Sequence, residues 1–177
     1  MGKLNIIKKV EDNSGKFFCG KKEERMLLFL ALISPKTGHP VHTIISGQSS
    51  VGKSTILKVM ERYLPDEMIY KFTRISATAL NRFKSNVKNW SWDGKILVIY
   101  ELEGAEQSQA VLRIMMSEGE SRALITEKKK DGQMDVTDFH IRGKPLVVTT
   151  SADPTIEGQF INRCLIIEID SLQKLIP

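Results

Sequence analysis

The stretch "SGQSSVGKST", Ser46 to Thr55, decides how this chain is read. It carries the spacing G-x-x-x-x-G-K-S, with Gly47, Gly52, Lys53 and Ser54 at the fixed positions. Directly before it, "VHTIIS" (Val41 to Ser46) is a short β-rich run. Directly after it, "KSTILKVMERYLP" has helical periodicity up to Pro65. Strand, glycine loop and helix in that order are the context in which such a loop holds phosphates. The two glycines permit a close backbone approach that a Cβ would forbid. Successive N–H groups among Gly47, Gln48, Ser49, Ser50, Val51, Gly52, Lys53, Ser54 and Thr55 can then face phosphate oxygens. Lys53 is expected to reach the β- and γ-phosphates and Ser54 to ligate Mg²⁺ through its hydroxyl, while the helix N-terminus favours the anion further. An accidental glycine-rich turn is the competing reading, and the flanking strand and helix disfavour it.

The rest of the chain has the bulk of one globular domain: 177 residues, 41% hydrophobic and 27% charged. The longest apolar run, Met26 to Ile33, is too short to cross a bilayer, and no signal peptide precedes it; a cytoplasmic protein with no membrane partner is expected. Cys19 and Cys164 fit neither a zinc spacing nor a disulfide framework. A net charge of +5 is compatible with a polyanionic partner.

Residues 1–40 read as an N-terminal arm, flexible or a lead-in strand, followed by a helix from Lys22 to Ser34 that Pro35, Gly38 and Pro40 break; residues 41–177 read as the core. Beyond the first strand, "EMIYKF" (Glu67 to Phe72), "KILVIY" (Lys95 to Tyr100), "PLVVTTS" (Pro145 to Ser151) and "CLIIEI" (Cys164 to Ile169) are nearly continuous hydrophobic runs. Such runs suit strands covered on both faces. Helices are expected at Ala77 to Val87 and Glu106 to Ser117, the latter with Ala110, Val111, Ile114 and Met115 on its apolar face. Between Arg122 and Lys144 the period changes to two around Asp131-Gly132, a hairpin turn signal. The fold class that follows is α/β: a three-layer sandwich with a mostly parallel five-stranded sheet and an inserted β-hairpin.

Chemistry concentrates at strand ends. "ILVIYELE" places Glu101 after a buried strand, where an acid can serve as base for an attacking water, as metal partner, or both; Glu103 is the reserve, and a merely solvated acid is the bland reading. "PLVVTTSADP" ends in hydroxyls that can bond the γ-phosphate or the water; Thr150 is preferred, with Thr149 and Ser151 left open. Arg163 precedes the last strand, where a guanidinium can stabilise phosphoryl charge across a subunit boundary or simply pair on the surface. Lys128, Lys129 and Lys130 stand at the hairpin tip, where adjacent cations can track phosphates without reading sequence, unless they are a solvated lysine run.

Together "GQSSVGKST", "KILVIYELEGAE" followed by "RIMMSEGESR", "VVTTSADP" and "INRCLIIEID" resemble the AAA+ ATPases. Within them they resemble the hexameric helicase branch of minichromosome maintenance proteins and phage or plasmid primase-associated helicases. The resemblance runs from Val41 to Asp170. It implies a P-loop NTPase fold and ATP with Mg²⁺ as cofactors, with Glu101, Lys53, Thr150 and Arg163 as catalytic residues and Ser54 and Glu101 at the metal. It further implies a hairpin gripping DNA in a ring channel, Arg163 acting on a neighbour's nucleotide, and a region near Arg82, Lys84 and Lys88 where the branch carries another insertion that can touch DNA, a solvated helix face being the competing reading of those cations. Two departures are visible. Tyr100 stands where the pattern has Asp, and no helical lid is expected after the final strand.

The expected function is an ATP-dependent DNA helicase or translocase working in replication. Its expected partners are single-stranded or forked DNA, further copies in a hexameric ring, and a primase or other replication protein. The alternative is an ATP-switched replication initiator or loader with slow turnover. A small-molecule kinase would need a compact acceptor pocket and an arginine-rich lid, and the sequence offers neither.

Overall fold

The computed structural model describes residues 5–102, 106–128, 134–152, 156 and 158–170. The glycine loop leaves β1 (Thr43–Ser46) and enters α3 (Lys53–Glu61), as the spacing requires. β1 lies inside a five-stranded parallel sheet whose spatial order is β2 (Ile69–Phe72), β3 (Ile96–Ile99), β6 (Leu146–Ser151), β1, β7 (Leu165–Glu168).

Period-two alternation sends side chains of each strand to two different helix layers. Ile45, Ile96, Val98, Leu146, Val148 and Ile167 join one core with Val10 of α1 (Ile6–Ser14), Leu28 and Leu32 of α2 (Lys22–Ile33), and Ile56, Leu57 and Met60 of α3. Ile44, Leu97, Ile99 and Val147 join the other. Their partners there are Leu80 of α4 (Ala77–Arg82), Leu112 and Met115 of α5 (Glu106–Glu118), and Phe160 of α6 (Gly158–Ile161). Each such fully buried side chain contributes about 1.5–3 kcal/mol relative to leaving it in water.

Several expectations are corrected. Residues 6–14 form a helix, α1, capped by the Asn5 side chain accepting from the Lys8 N–H at 3.2 Å, and not a flexible arm or a lead-in strand. The helix expected to reach Val87 ends at Arg82, because Phe83 turns extended and Lys84 adopts φ 53°. On α5 the buried positions are Ser108, Gln109, Leu112, Met115 and Met116, while Ile114 is exposed. Ser108 donates to the Ile75 carbonyl at 2.7 Å and Gln109 to the Leu102 carbonyl at 3.0 Å, so two polar residues hold places that an apolar stripe would assign to hydrophobes. β2 and β7 are edge strands and only partly covered, whereas β3 is buried throughout.

The inserted hairpin is β4 (Glu120–Lys128) and β5 (Met134–Arg142), antiparallel from Glu120↔Arg142 to Lys128↔Met134. The expected turn at Asp131-Gly132 lies outside the described residues, as do Lys129, Lys130, Glu103 and everything after residue 170 where a lid would follow; of Lys128 only the backbone is described. The hairpin root is fixed at several points. The Trp92 N–H donates to the Arg142 carbonyl at 2.8 Å and the Gly143 N–H to the Gly119 carbonyl at 2.6 Å, while the Lys144 N–H donates to Asp93 Oδ1 at 3.0 Å. A Cβ on Gly143 would stand 2.5 Å and 2.6 Å from the Asp93 and Trp92 nitrogens, so only glycine allows this approach. Among the described residues no helix is long and apolar enough to cross a membrane.

Candidate functional site at the C-terminal edge of the sheet

Because the sheet is parallel, the C-terminal ends of β1, β6 and β3 open on one edge. Ser46 is level with Ser151, and Ile99 with Thr149. In open α/β sheets this edge is where ligands bind. The glycine loop turns there through positive φ at Gly47 (150°), Ser50 (67°) and Gly52 (98°), then delivers Lys53 and Ser54 to the first turn of α3. The Lys53 ammonium lies at the mouth of the loop, donating to the carbonyls of Gly47 at 2.6 Å and Gln48 at 2.7 Å. Phe18 packs against the far side of the loop, within 3.0 Å of where a Cβ on Gly52 would stand. Arg25 holds that segment by donating to the carbonyls of Phe18 and Gly20.

Beside the loop, the pairing of β3 with the β2 side continues past the strand ends. The Tyr100 N–H donates to the Phe72 carbonyl at 3.1 Å and the Glu101 N–H to the Thr73 carbonyl at 2.8 Å. Glu101 is half exposed, and its carboxylate accepts from Arg74 Nε. Arg74 is 79% exposed, so the pair is worth at most about 1 kcal/mol, and its interest is positional. Tyr100 packs toward the core beneath α3, where burial, and then the nearby Glu61 carboxylate, push its hydroxyl above the ordinary tyrosine range. It therefore stays neutral and offers a cation no charge. Glu61 is itself buried and accepts from Lys71 Nζ at 2.8 Å, an arrangement that raises the lysine pKa.

Of the three hydroxyls at the end of β6, Thr149 is fully buried and Ser151 nearly so. Thr150 is half-buried and donates to the Tyr100 carbonyl at 3.2 Å, tying β6 to β3 at the edge where Glu101 emerges. The geometry thus brings together Gly47 to Thr55, Thr150 and Glu101. It does not bring Arg163 to them. β7 starts level with Thr43, the first residue of β1, so Arg163 lies beyond the opposite end of the sheet from its own loop, more than about 10 Å away at strand rise. There it donates to Ser117 Oγ at 3.1 Å and to the Gln159 carbonyl at 2.5 Å. Sequence reasoning missed Arg74 and Phe18, since neither belongs to the motif that its contact serves.

A loop with glycines at its tight points, leading into a helix N-terminus with a lysine at its mouth, suits phosphate oxygens. Family comparison agrees: the sequence model described as the MTBMA_p00010 P-loop domain matches residues 2–175. The chain belongs to this P-loop domain family. It is a P-loop NTPase domain by both sequence family and sheet architecture. No curated protein matches it. Among solved structures, NtrX from Brucella abortus in complex with ADP is similar, at 12% identity and a TM-score of 0.45, over 93% of this chain and 40% of that one. The P-loop domain thus spans 40% of that chain's length. Among its described residues no group of three His, Cys, Asp or Glu could hold a metal ion. A metal at the P-loop would be shared between nucleotide oxygens, the exposed Ser54 hydroxyl and the Glu101 carboxylate.

Proposed function

We propose that the domain hydrolyses ATP with Mg²⁺ at an interface between identical subunits of a ring, a hexamer by the helicase resemblance, and couples turnover to movement along single-stranded or forked DNA in replication. The observation that carries this reading is the place of β6. Its C-terminal end brings Thr150 between the P-loop and Glu101, and its N-terminal end is the root of the hairpin. Lys53 and the loop N–H groups hold the phosphates, and Glu101 takes the proton of the attacking water once its carboxylate turns from Arg74. Thr150 orients that water, while Lys128, Lys129 and Lys130 meet the DNA backbone. When bound, Mg²⁺ neutralises phosphate charge. Arg163 stands at the wrong end of the sheet for its own loop, which supports its action on a neighbour's nucleotide.

The second reading, an initiator or loader that uses ATP as an assembly switch, is favoured by two features. Glu101 is held by Arg74, and Tyr100 gives no anionic ligand. Phosphate release measured with and without single-stranded DNA separates the two. The motor reading expects stimulation by DNA and a loss of at least about 100-fold in Glu101→Gln. A slow rate that DNA leaves unchanged would establish the switch instead.

A further inference from the structure

We infer that Arg163 shares its task with Arg113 of α5, and that the two guanidiniums together receive the terminal phosphate of the nucleotide held by the next copy in the ring. The inference rests on the shared-site reading above and adds a residue that neither the glycine loop nor the strand ends point to. Arg113 and Arg163 line one cavity of about 260 Å³ between α5 and the turn after α6, walled by Ala110, Ile114 and Ser117. Glu118 is the one carboxylate that lines it among the described residues. The volume lies below the range of sites for whole small ligands, about 300–1,000 Å³, and no aromatic side chain lines the cavity for a base to meet. A phosphate at the end of a nucleotide held elsewhere fits such a space, and forked guanidiniums match its oxygens in pairs.

One residue fixes both arginines. Gln159 of α6 accepts from Arg113 Nη1 through its side-chain oxygen and from Arg163 Nη1 through its backbone carbonyl, the latter at 2.5 Å. Ser117 Oγ accepts from Arg163 Nε at 3.1 Å. A guanidinium carries its N–H donors on both edges of a rigid plane, so these two bonds orient Arg163 and leave its Nη2 end unengaged by any described residue. Two cations bracketed by one neutral residue repel each other, and an anion between them replaces that repulsion with attraction. Ile114 stands beside them 47% exposed, apolar surface that a neighbouring copy covers when it brings its phosphates to the cavity. Arg163 lies at the end of the sheet away from the chain's own P-loop, so the phosphate comes from another molecule. A neighbour's carboxylate would also satisfy the charge, but it would dock the copies whatever nucleotide they hold.

The test uses the full chain, alone and in mixtures. Arg113→Ala should lower kcat for ATP about 10- to 100-fold, the scale of one charge-assisted hydrogen bond. It should weaken binding of a fluorescent, non-hydrolysable ATP analogue about tenfold and leave ADP binding unchanged, because the arginine meets only the terminal phosphate. A fault of packing would not tell the two nucleotides apart. Mixed with Lys53→Ala chains, Arg113→Ala chains should regain turnover. Mixed with Arg163→Ala chains they should regain none, since both losses then fall on the same half of the site. Arg113→Lys, which keeps the charge without the fork, should restore part of kcat, and circular dichroism with melting confirms that each variant is folded. If Lys53→Ala and Arg163→Ala chains fail to complement each other, the shared site falls and this inference with it. If they complement while Arg113→Ala keeps the parent kcat, the inference alone is refuted. If Arg113→Ala loosens self-association in sedimentation equally with ATP, with ADP and with neither, the cavity holds a neighbour's carboxylate and the proposal is overturned.

Discussion

At Gly47 the loop and the last strand meet at the limit of atomic contact. A Cβ there would stand 2.3 Å from the Ile169 carbonyl oxygen, and the backbone φ is 150°. The obstacle is backbone, fixed by the Ile169 N–H donating to the Ser46 carbonyl at 2.8 Å, so it cannot swing aside as a side-chain end could. Gly47→Ala should therefore cost about 2–3 kcal/mol of folding stability, the scale of overpacking in a well-packed region. Urea unfolding with an unchanged slope and a lower midpoint would show it. At the same scale, the glycines, Lys53 and Ser54 were legible because their spacing along the chain is their mechanism. Arg74 was not, because it meets Glu101 only where two parallel strands end side by side, and no spacing in the sequence records that meeting.

Elements with one strong apolar stripe or one continuous apolar run were read within a few residues of their bounds, as with β3 and β6. Helix α1 escaped because it is short and polar: Lys8, Lys9, Glu11 and Asp12 outnumber its three hydrophobes, of which only Val10 is buried. On α5 the apolar face was misplaced because Ser108 and Gln109 are buried against carbonyls, which hydrophobicity does not register. The turn before β1 holds another buried polar group. His42 Nδ1 accepts the Val147 N–H at 3.2 Å, joining the start of β1 to β6. Burial, and then the charge of Lys144, lower its pKa from 6.5 to about 4. The unfolded chain takes up a proton below pH 6.5 that the folded one refuses until about 4, so stability rises with pH across that window and is complete above it. Denaturant unfolding of the parent should lose about 3 kcal/mol through this group between neutral pH and pH 4. His42→Asn, which keeps an acceptor without the titration, should be flatter over the same range.

For the whole molecule, the P-loop and Arg163 occupy opposite ends of the sheet, so on the proposed reading one copy offers half of a shared site at each end. Contacts of this head-to-tail kind close into rings or run on as filaments. On the proposed reading, Lys53→Ala chains and Arg163→Ala chains should each lose about 1,000-fold in ATP turnover. Mixed together they should recover part of it, because a parent loop can then face a parent arginine. Phosphate release from the mixture, compared with either variant alone, is the measurement; no recovery would place the arginine outside the reaction.

The hairpin root, where Gly143 admits the backbone of residues 92 and 93, sets a limit on what can bend. β6 leaves that root buried at every position but Thr150 and hydrogen-bonded to β1 on one side and β3 on the other, and it ends beside the P-loop. A strand gripped on both flanks neither stretches nor slips. On the proposed reading, the projection is thus less a finger on a knuckle than a tool with a fixed handle, since a stroke of the hairpin would be carried from its root by the body of the domain and not by a hinge in β6.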